Sequence, residues 1–499
     1  MHTLLPNISG QLSGILDSLT YFVPEVYLSA LFMVVLITDL LFGKESDKLC
    51  RIVACGGLLL VIFKDHQQAA LLSGAGNYLF SGMLWLNHSS LVFKFIIDVL
   101  AFVLLLYFAW DDNLRKHPKR LADLYTITIG AIFGLHLMVM AINLLSIYLA
   151  IEMVSIASYL MVAYCSENNF SAEAGLKYVL FGAAASAMML YGISLLYGFT
   201  GSLDIFATST MQNLVQVNSA GIAVALGLIL IGIGFKLSFV PMHFWVPDVY
   251  QGAPTPVMAF LSTLPKIAAF GLLVNFLTPF IFLVKITAFD FKLYLSVIGV
   301  ITMVAGNFAA VLQTNIKRML AYSSIGHTGF ALMAIVTFSA QGINALTYYL
   351  AVYSLANIGA LALATYFTNA AAATTLENYK GLGSKYPVAS VCFVIILISL
   401  AGLPVSAGFT GKLLVFSSVY AVYQQNNDVW LLILMITGAL TTVVALFYYI
   451  KIPLYLFLKR TENGAPPLSV SPLIIIFSII IVLTVLFLGI FPNSLLGYL

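Results

Sequence analysis

Apolar runs of membrane-crossing length, separated by short polar stretches, follow one another from residue 21 to residue 492. A spanning helix needs about 20 mostly apolar residues. Fourteen stretches meet that requirement: 21–42, 51–72, 88–110, 122–140, 142–165, 171–198, 219–240, 255–281, 291–313, 317–338, 341–368, 386–421, 428–457 and 470–492. Lys64-Asp65-His66 cuts the second, and the fourth and fifth meet near Asn143. The seventh stops at Val240-Pro241, where a polar turn, VPDVYQGAP, leads to the eighth. The twelfth is too long for one straight span. With Gly402-Leu403-Pro404 and Gly408 inside it, it reads as two half-helices joined by an unwound piece. The pattern predicts an all-α polytopic membrane protein of about fourteen transmembrane helices, with helices 7 and 12 broken.

Composition extends this picture to the whole chain. Of 499 residues, 61% are hydrophobic and 8% charged, against about 25% charged in soluble domains, so no soluble head is expected. A net charge of +3, scattered along the chain, gives no footprint for nucleic acid. Cys50, Cys55, Cys165 and Cys392 stand singly, without a C-x-x-C or Cys/His cluster, which argues against iron–sulfur or zinc. The first residues, MHTLLPNISGQLSG, lack the basic region and cleavage site of a secretory signal.

The sparse cations set orientation. Lys44, Lys48 and Arg51, then Arg115, Lys116, Lys119 and Arg120, then Lys317 and Arg318, Lys380 and Lys385, and Lys459 and Arg460 all follow odd-numbered helices. Even-numbered exits hold Lys285 and Lys292, plus Lys64 near a helix end. The bias puts odd exits in the cytoplasm and both termini on the non-cytoplasmic side.

Helices 4–8 and 9–13 form two five-helix units that start in opposite orientations, and each has its broken helix in the fourth place. Lys236 and Lys412 recur at a spacing of 176 residues, Glu152 and His327 at 175. Inverted repeats with broken helices point to an ion path at the repeat interface. The organisation expected is an N-terminal three-helix segment over 1–120, a first repeat over 121–285, a second over 286–460, and helix 14 over 461–499.

Ionisable residues inside spans are costly and mark charge pathways. Glu152 lies in helix 5, and Lys236 sits just before the helix 7 break, as its expected partner. Lys266 follows Pro265, about 16 Å into helix 8 at 1.5 Å per residue, and Lys412 follows the helix 12 break. A lysine desolvated in such a place can load and release a proton. Lys177, in helix 6, either snorkels to the interface or faces inward between Glu152 and Lys236. His327, in helix 10, is either a proton carrier or a packing residue. Asp39, Lys94 and Asp98 fall outside the repeats and are expected to contact each other or a neighbouring subunit. Asp248 reads as a loop brace and His243 as a cap on carbonyls at the break. GLGSK at 381–385 lacks the spacing of a phosphate-binding loop. Nothing in the chain performs redox chemistry.

The stretches IEMVSIASYLMVAY, SAEAGLKYVLFGAAAS, GFKLSFVPMHFWVPDVYQGAPTPV, TNIKRMLAYSSIGHTGF and SLAGLPVSAGFTGK together resemble the antiporter-like membrane subunits of respiratory complex I, the NADH–quinone oxidoreductases. The likeness covers about residues 120–460, and the PDVYQGAP turn is similar to that of the subunit N group. The resemblance implies two inverted five-helix repeats and a proton-transfer series of Glu152, Lys177, Lys236, Lys266, His327 and Lys412. It also implies a place among other membrane subunits in a bacterial inner membrane, with NAD, FMN, iron–sulfur clusters and quinone on partner subunits and no cofactor in this chain. A Mrp-type cation/proton antiporter subunit without a redox partner is the alternative.

Overall fold

The structure, a computed structural model, describes residues 8–43, 46–72, 74, 76–283, 289–459 and 471–498. Lys44, Lys285, Arg460, the first seven residues and the expected segment boundaries near 285 and 461 lie outside them. All fourteen apolar stretches coincide with a helix or a helix pair. A short helix α1 (Ile8–Thr20) precedes α2 (Val23–Phe42) and α3 (Ser46–Leu71). A two-stranded antiparallel hairpin follows, β1 (Asn77–Leu79) with β2 (Leu84–Leu86), a small exception to the all-α expectation. Next come α4 (His88–Phe108), the single turn α5 (Asp112–Arg115), α6 (Ala122–Met140), α7 (Leu144–Val162), α8 (Asn169–Thr200) and the short α9 (Thr208–Val215). The first broken pair is α10 (Ser219–Leu237) with α11 (Trp245–Gly252), and α12 (Thr255–Thr278) follows. The second half runs through α13 (Phe291–Val311), α14 (Ile316–Ile335), α15 (Ala340–Ala371) and the turn α16 (Leu382–Lys385). It ends with the second broken pair, α17 (Pro387–Ala401) with α18 (Ala407–Asn426), then α19 (Val429–Pro453), α20 (Pro472–Ile490) and α21 (Asn493–Leu496).

Eleven of the described helices are long and apolar enough to cross a membrane. The other predicted spans are α3 and α14, whose charges dilute the run, and the α17/α18 pair, which is divided. The helix 7 connection differs from expectation. VPDVYQGAP is not a turn but is mostly α11, whose Pro247 falls in the first helical turn, where an N–H has no intrahelical acceptor to lose.

Burial sorts the helices into an axis and a shell. The apolar windows of α12 and α15 are 94% and 89% buried, against 28% in α2 and α19. A helix apolar on every side must be surrounded by others, and α12 packs on α4, α6, α10 and α15. Lys266 therefore sits on the central helix.

Several backbone events occur twice. Asn143 caps α7 and Asn315 caps α14, each accepting a bond from a backbone N–H of its helix. Beside each cap, a first-turn N–H bonds the loop after the next helix, Leu144 to the Leu203 carbonyl (2.9 Å) and Ile316 to the Thr374 carbonyl (3.1 Å). Those next helices, α8 and α15, both have 32 residues. The first half of each broken helix ends on a left-handed residue, Ser238 (φ 63°) and Gly402 (φ 83°). This register corrects the pairing of Lys236 with Lys412: Lys236 lies in the last turn before its break, Lys412 in the half-helix after the other.

Helix α13 packs on α14 with their backbones close together. A Cβ on Gly306 would lie 2.4 Å from the Gly326 backbone nitrogen and 2.9 Å from the Tyr322 carbonyl oxygen. Small residues let membrane helices touch through their backbones, and neither neighbour here is a movable side chain. Gly306→Ala is expected to cost about 1–3 kcal/mol, seen as a lower unfolding temperature in detergent. Gly227→Ala, at a helical glycine with open space around its Cβ position, should leave that temperature unchanged or raise it.

Candidate functional site

The break after α10 fixes the first part of the site. A helix end in an apolar medium leaves backbone carbonyls that must find donors. The Thr328 hydroxyl of α14 lies 3.0 Å from the Leu237 carbonyl and donates to it. The same hydroxyl accepts from Lys266 Nζ at 2.9 Å. Lys266 spends its other donors on Ser324, at 2.7 Å to the hydroxyl and 3.0 Å to the carbonyl. Two elements of α14, one turn apart, thus hold the central lysine and tie it to the end of the broken helix. Lys266 has only neutral oxygens as bonding partners.

The second break does the same work with a lysine. Lys412 Nζ donates to the Ala401 carbonyl at 2.8 Å, at the end of α17. Gly402 makes this possible: a Cβ there would lie 2.7 Å from Lys412 Cδ. Between the two lysines, His327 places Nδ1 2.6 Å from the Tyr349 hydroxyl and Nε2 3.2 Å from the Tyr449 hydroxyl. Tyr449 also bonds Ser323. Two voids of about 10 Å³ each separate His327 from Lys412, each with room for about one water.

Lys236, 3% exposed, has no hydrogen-bond partner for Nζ among the described residues. Its nearest π face is Tyr178, with the ring centroid at 5.9 Å. The expected contact with Glu152 is not made; Glu152, half-buried, accepts from the Ser186 hydroxyl of α8 instead. Lys236, Lys266, His327 and Lys412 are each buried, and Glu152 is half-buried.

Lys177 is not between Glu152 and Lys236. It reaches Asp248 of α11 at 2.6 Å and Glu173, one turn earlier on its own helix, at 2.7 Å. Arg318 of α14 takes the other oxygen of Asp248 at 2.6 Å and Gln251 at 3.0 Å. Asp248 therefore joins α8, α11 and α14, and is more than a loop brace. Lys317 and Arg318, which the sequence pattern presents as topology signals, are both used internally, Lys317 donating to the Ala253 carbonyl at 2.5 Å. His243 Nδ1 has no hydrogen-bond partner among the described residues, while the ring lies against Phe244 and beside the backbone of Pro241 at the break.

Sequence reasoning missed a further cluster. Lys94 and Asp98 belong to one cluster, Lys94 paired with Glu25 and Asp65 and Asp98 with His136, while Asp39 lies elsewhere, bonded to Ser46 and 3.6 Å from Arg120. The signal in the sequence is Asp65, an acid inside an apolar run, which by itself reads as an interruption of a span.

The Asp248 tie gives a pH prediction. Burial alone raises the Asp248 carboxyl, but its bonds to Lys177 and Arg318 outweigh that and hold it below the usual carboxylate range. A depressed carboxylate stabilises the fold at neutral pH, and the contribution is lost as pH falls through the depressed value. With about a third of these side chains exposed, screening limits the effect to about 0.5–1 kcal/mol. Asp248→Asn should speed amide exchange in α11 at neutral pH, and this difference from the parent should vanish in strong acid.

The family model described as NADH:quinone oxidoreductase/Mrp antiporter, transmembrane, matches residues 141–443, a span that contains all six residues of the expected series. NADH-quinone oxidoreductase subunit N 2 of Chloroherpeton thalassium is 38% identical over 450 residues, covering 89% of this chain and 86% of that protein. A chain of respiratory complex I from Thermus thermophilus with bound aureothin has a TM-score of 0.76 at 28% identity, covering 95% of this chain and 98% of its own length. A chain of the Mrp complex from Dietzia sp. has a TM-score of 0.78 at 17% identity, over 96% of both chains, and shares the fold. The chain is a multi-pass membrane protein of the NADH:quinone oxidoreductase/Mrp antiporter family, and within that family it belongs to the subunit N group of respiratory complex I.

Proposed function

We propose that the chain is the proton-translocating membrane subunit of an NADH–quinone oxidoreductase, coupling quinone reduction elsewhere in the complex to proton transfer through Lys236, Lys266, His327 and Lys412. The observation that carries this reading is that three buried lysines have no bonded acid among the described residues: Lys236 lies in the last turn before one break, Lys412 bonds the carbonyl at the other, and Lys266 is linked to the first through Thr328. Fixed counter-charges would hold protons in place. Carbonyls and hydroxyls solvate an ammonium or an amine, so the proton remains transferable.

Glu152 acts as the movable counter-charge. In one state it bonds Ser186 and leaves Lys236 without a hydrogen-bonded partner, which matches the described arrangement. In the other it turns toward Lys236 and stabilises the ammonium. When the pair separates, Lys236 gives its proton toward Lys266, and the added charge displaces a proton past His327 to Lys412. Interaction energies between unit charges a few ångströms apart, several kcal/mol in a partly buried site, make such switching able to drive a neighbouring lysine. Lys177 modulates the switch through Asp248, which ties α8 to α14. The repeated caps and breaks support an N-terminal segment over 1–120, two inverted units over 121–285 and 286–460, and a closing helix over 461–499. NAD, FMN, the iron–sulfur clusters and quinone are assigned to partner subunits, and the complex to a bacterial inner membrane with both termini of this chain on the non-cytoplasmic side.

In assembled complex in proteoliposomes, Glu152→Gln and Lys236→Met should each slow proton transfer through this subunit at least about tenfold, or about 1.4 kcal/mol, seen as fewer protons moved per quinone reduced. Undiminished pumping in both variants would sink the proposal. Full sodium/proton exchange by the chain without redox partners would favour the Mrp-type reading instead.

Thr328→Val tests the link between Lys266 and the α10 break. It leaves the Leu237 carbonyl without a donor, at a cost of about 1–3 kcal/mol. We expect a lower unfolding temperature together with slower pumping. Thr328→Ser should restore both.

A further inference from the structure

Away from the lysine series, five ionisable side chains from four helices meet in a site closed to solvent. They are Glu25 of α2, Asp65 of α3, Lys94 and Asp98 of α4, and His136 of α6, between 0% and 3% exposed. The position follows from the chain. Glu25 opens α2 and Lys94 lies in the second turn of α4, while Asp65 and His136 approach the ends of α3 and α6. The four antiparallel helices thus bring these groups to one side of the membrane midplane. The central helix α12, packed on α4 and α6, adds no charge there; its Asn275 bonds the Val139 carbonyl at 2.8 Å.

Lys94 pairs with Glu25 (2.5 Å) and Asp65 (2.9 Å) and donates to the Gln68 side-chain oxygen (2.7 Å). His136 faces Glu25 with Nδ1 (3.0 Å) and Asp98 with Nε2 (2.9 Å), so both ring nitrogens donate and the ring is a cation. Gln68 turns its amide nitrogen away, to the Tyr21 carbonyl. Three carboxylates against two cations leave one negative charge in excess. Among the described residues, Glu25 Oε2, Asp98 Oδ2 and both oxygens of Asp65 accept no hydrogen bond, so Asp65 is the carboxyl left without any. An uncompensated charge sealed from water costs several kcal/mol, and burial disfavours the ionised form of a carboxyl that no donor bonds. A divalent cation at the same place would be repelled by the Lys94 ammonium, which already occupies the space between Glu25 and Asp65.

We propose that this cluster is a second proton-binding site of the chain, taking up one proton on Asp65, with Lys94 and His136 as fixed counter-cations. Uptake turns the Asp65 carboxylate into a carboxylic acid and brings the site to neutrality; release restores the excess negative charge. The proton comes from water and returns to it, and nothing else changes. The site is separate from the lysine series and does not depend on how that series works. Its chemistry is also the opposite, since here each cation has an anionic partner and the movable proton rides on a carboxyl.

Infrared difference spectra of the intact complex, recorded across a pH step, test this. The parent should show a carboxylic-acid carbonyl band that shifts on deuteration and on labelling aspartate with carbon-13. It should be absent in Asp65→Asn, which removes the acid, and in Asp98→Asn, which removes the excess charge, and present in Lys236→Met. In Asp65→Glu, which keeps the carboxyl, the band should move from sensitivity to labelled aspartate to sensitivity to labelled glutamate. In Lys94→Met, where one cation is lost, the cluster should hold a second proton and the band should roughly double. A band that survives both asparagine variants and ignores the Asp65→Glu label change would overturn the proposal, as would a stoichiometric metal ion lost from the complex in Asp65→Asn.

Discussion

The constraint on which the site depends is that backbone carbonyls in an apolar medium must find donors. A continuous helix satisfies them internally, whereas a broken one cannot. In this chain the two breaks are answered differently: the Leu237 carbonyl takes the Thr328 hydroxyl, and the Ala401 carbonyl takes the Lys412 ammonium. Each answer draws a lysine into the membrane interior, because Thr328 is itself a partner of Lys266. The cost of a buried cation and the cost of a broken helix offset one another at the same atoms.

That arrangement needs a rigid frame, and α14 supplies much of it. One face of α14 packs backbone to backbone on α13 through Gly306 and Gly326. Another presents Ser324, His327 and Thr328 to the lysines, and its first turn carries Arg318 to Asp248. A shift of α14 would move the solvation of Lys266, the Leu237 cap and the tie to α8 and α11 together. These are the parts that the proposed switch at Glu152 would have to influence.

The sequence makes the helices, the two breaks and the buried lysines legible, because hydropathy over twenty residues and an intramembrane charge are strong, local signals. Partners are much less legible. Glu152 and Lys236 are opposite charges in adjacent spans, yet Ser186 on α8 lies nearer to the carboxylate. The 176-residue spacing suggested equivalence for Lys236 and Lys412, but it compared charges and not backbone events. The caps at Asn143 and Asn315 and the left-handed ends at Ser238 and Gly402 give a different register. VPDVYQGAP reads as a turn because prolines punctuate it, although proline in a first helical turn costs nothing. Asp65 reads as a flaw in a span because a single sequence cannot show that Lys94 and His136 arrive from two other helices.

The chain consequently holds buried charge in two physical regimes. Along the broken helices, cations are solvated by neutral oxygens, and a small movement of one counter-charge changes how firmly a proton is held. In the N-terminal cluster, anions and cations are interlocked within 3.0 Å, and moving any one group exposes the charge of the others. The first regime favours transfer between sites and the second favours storage at one. The difference follows from counter-ions alone. Three acids among two bases keep the cluster's cations charged, so the only group free to change state is a carboxyl. Three lysines without a bonded acid have no such lock, so in the proposed transfer the group that would change state is the amine.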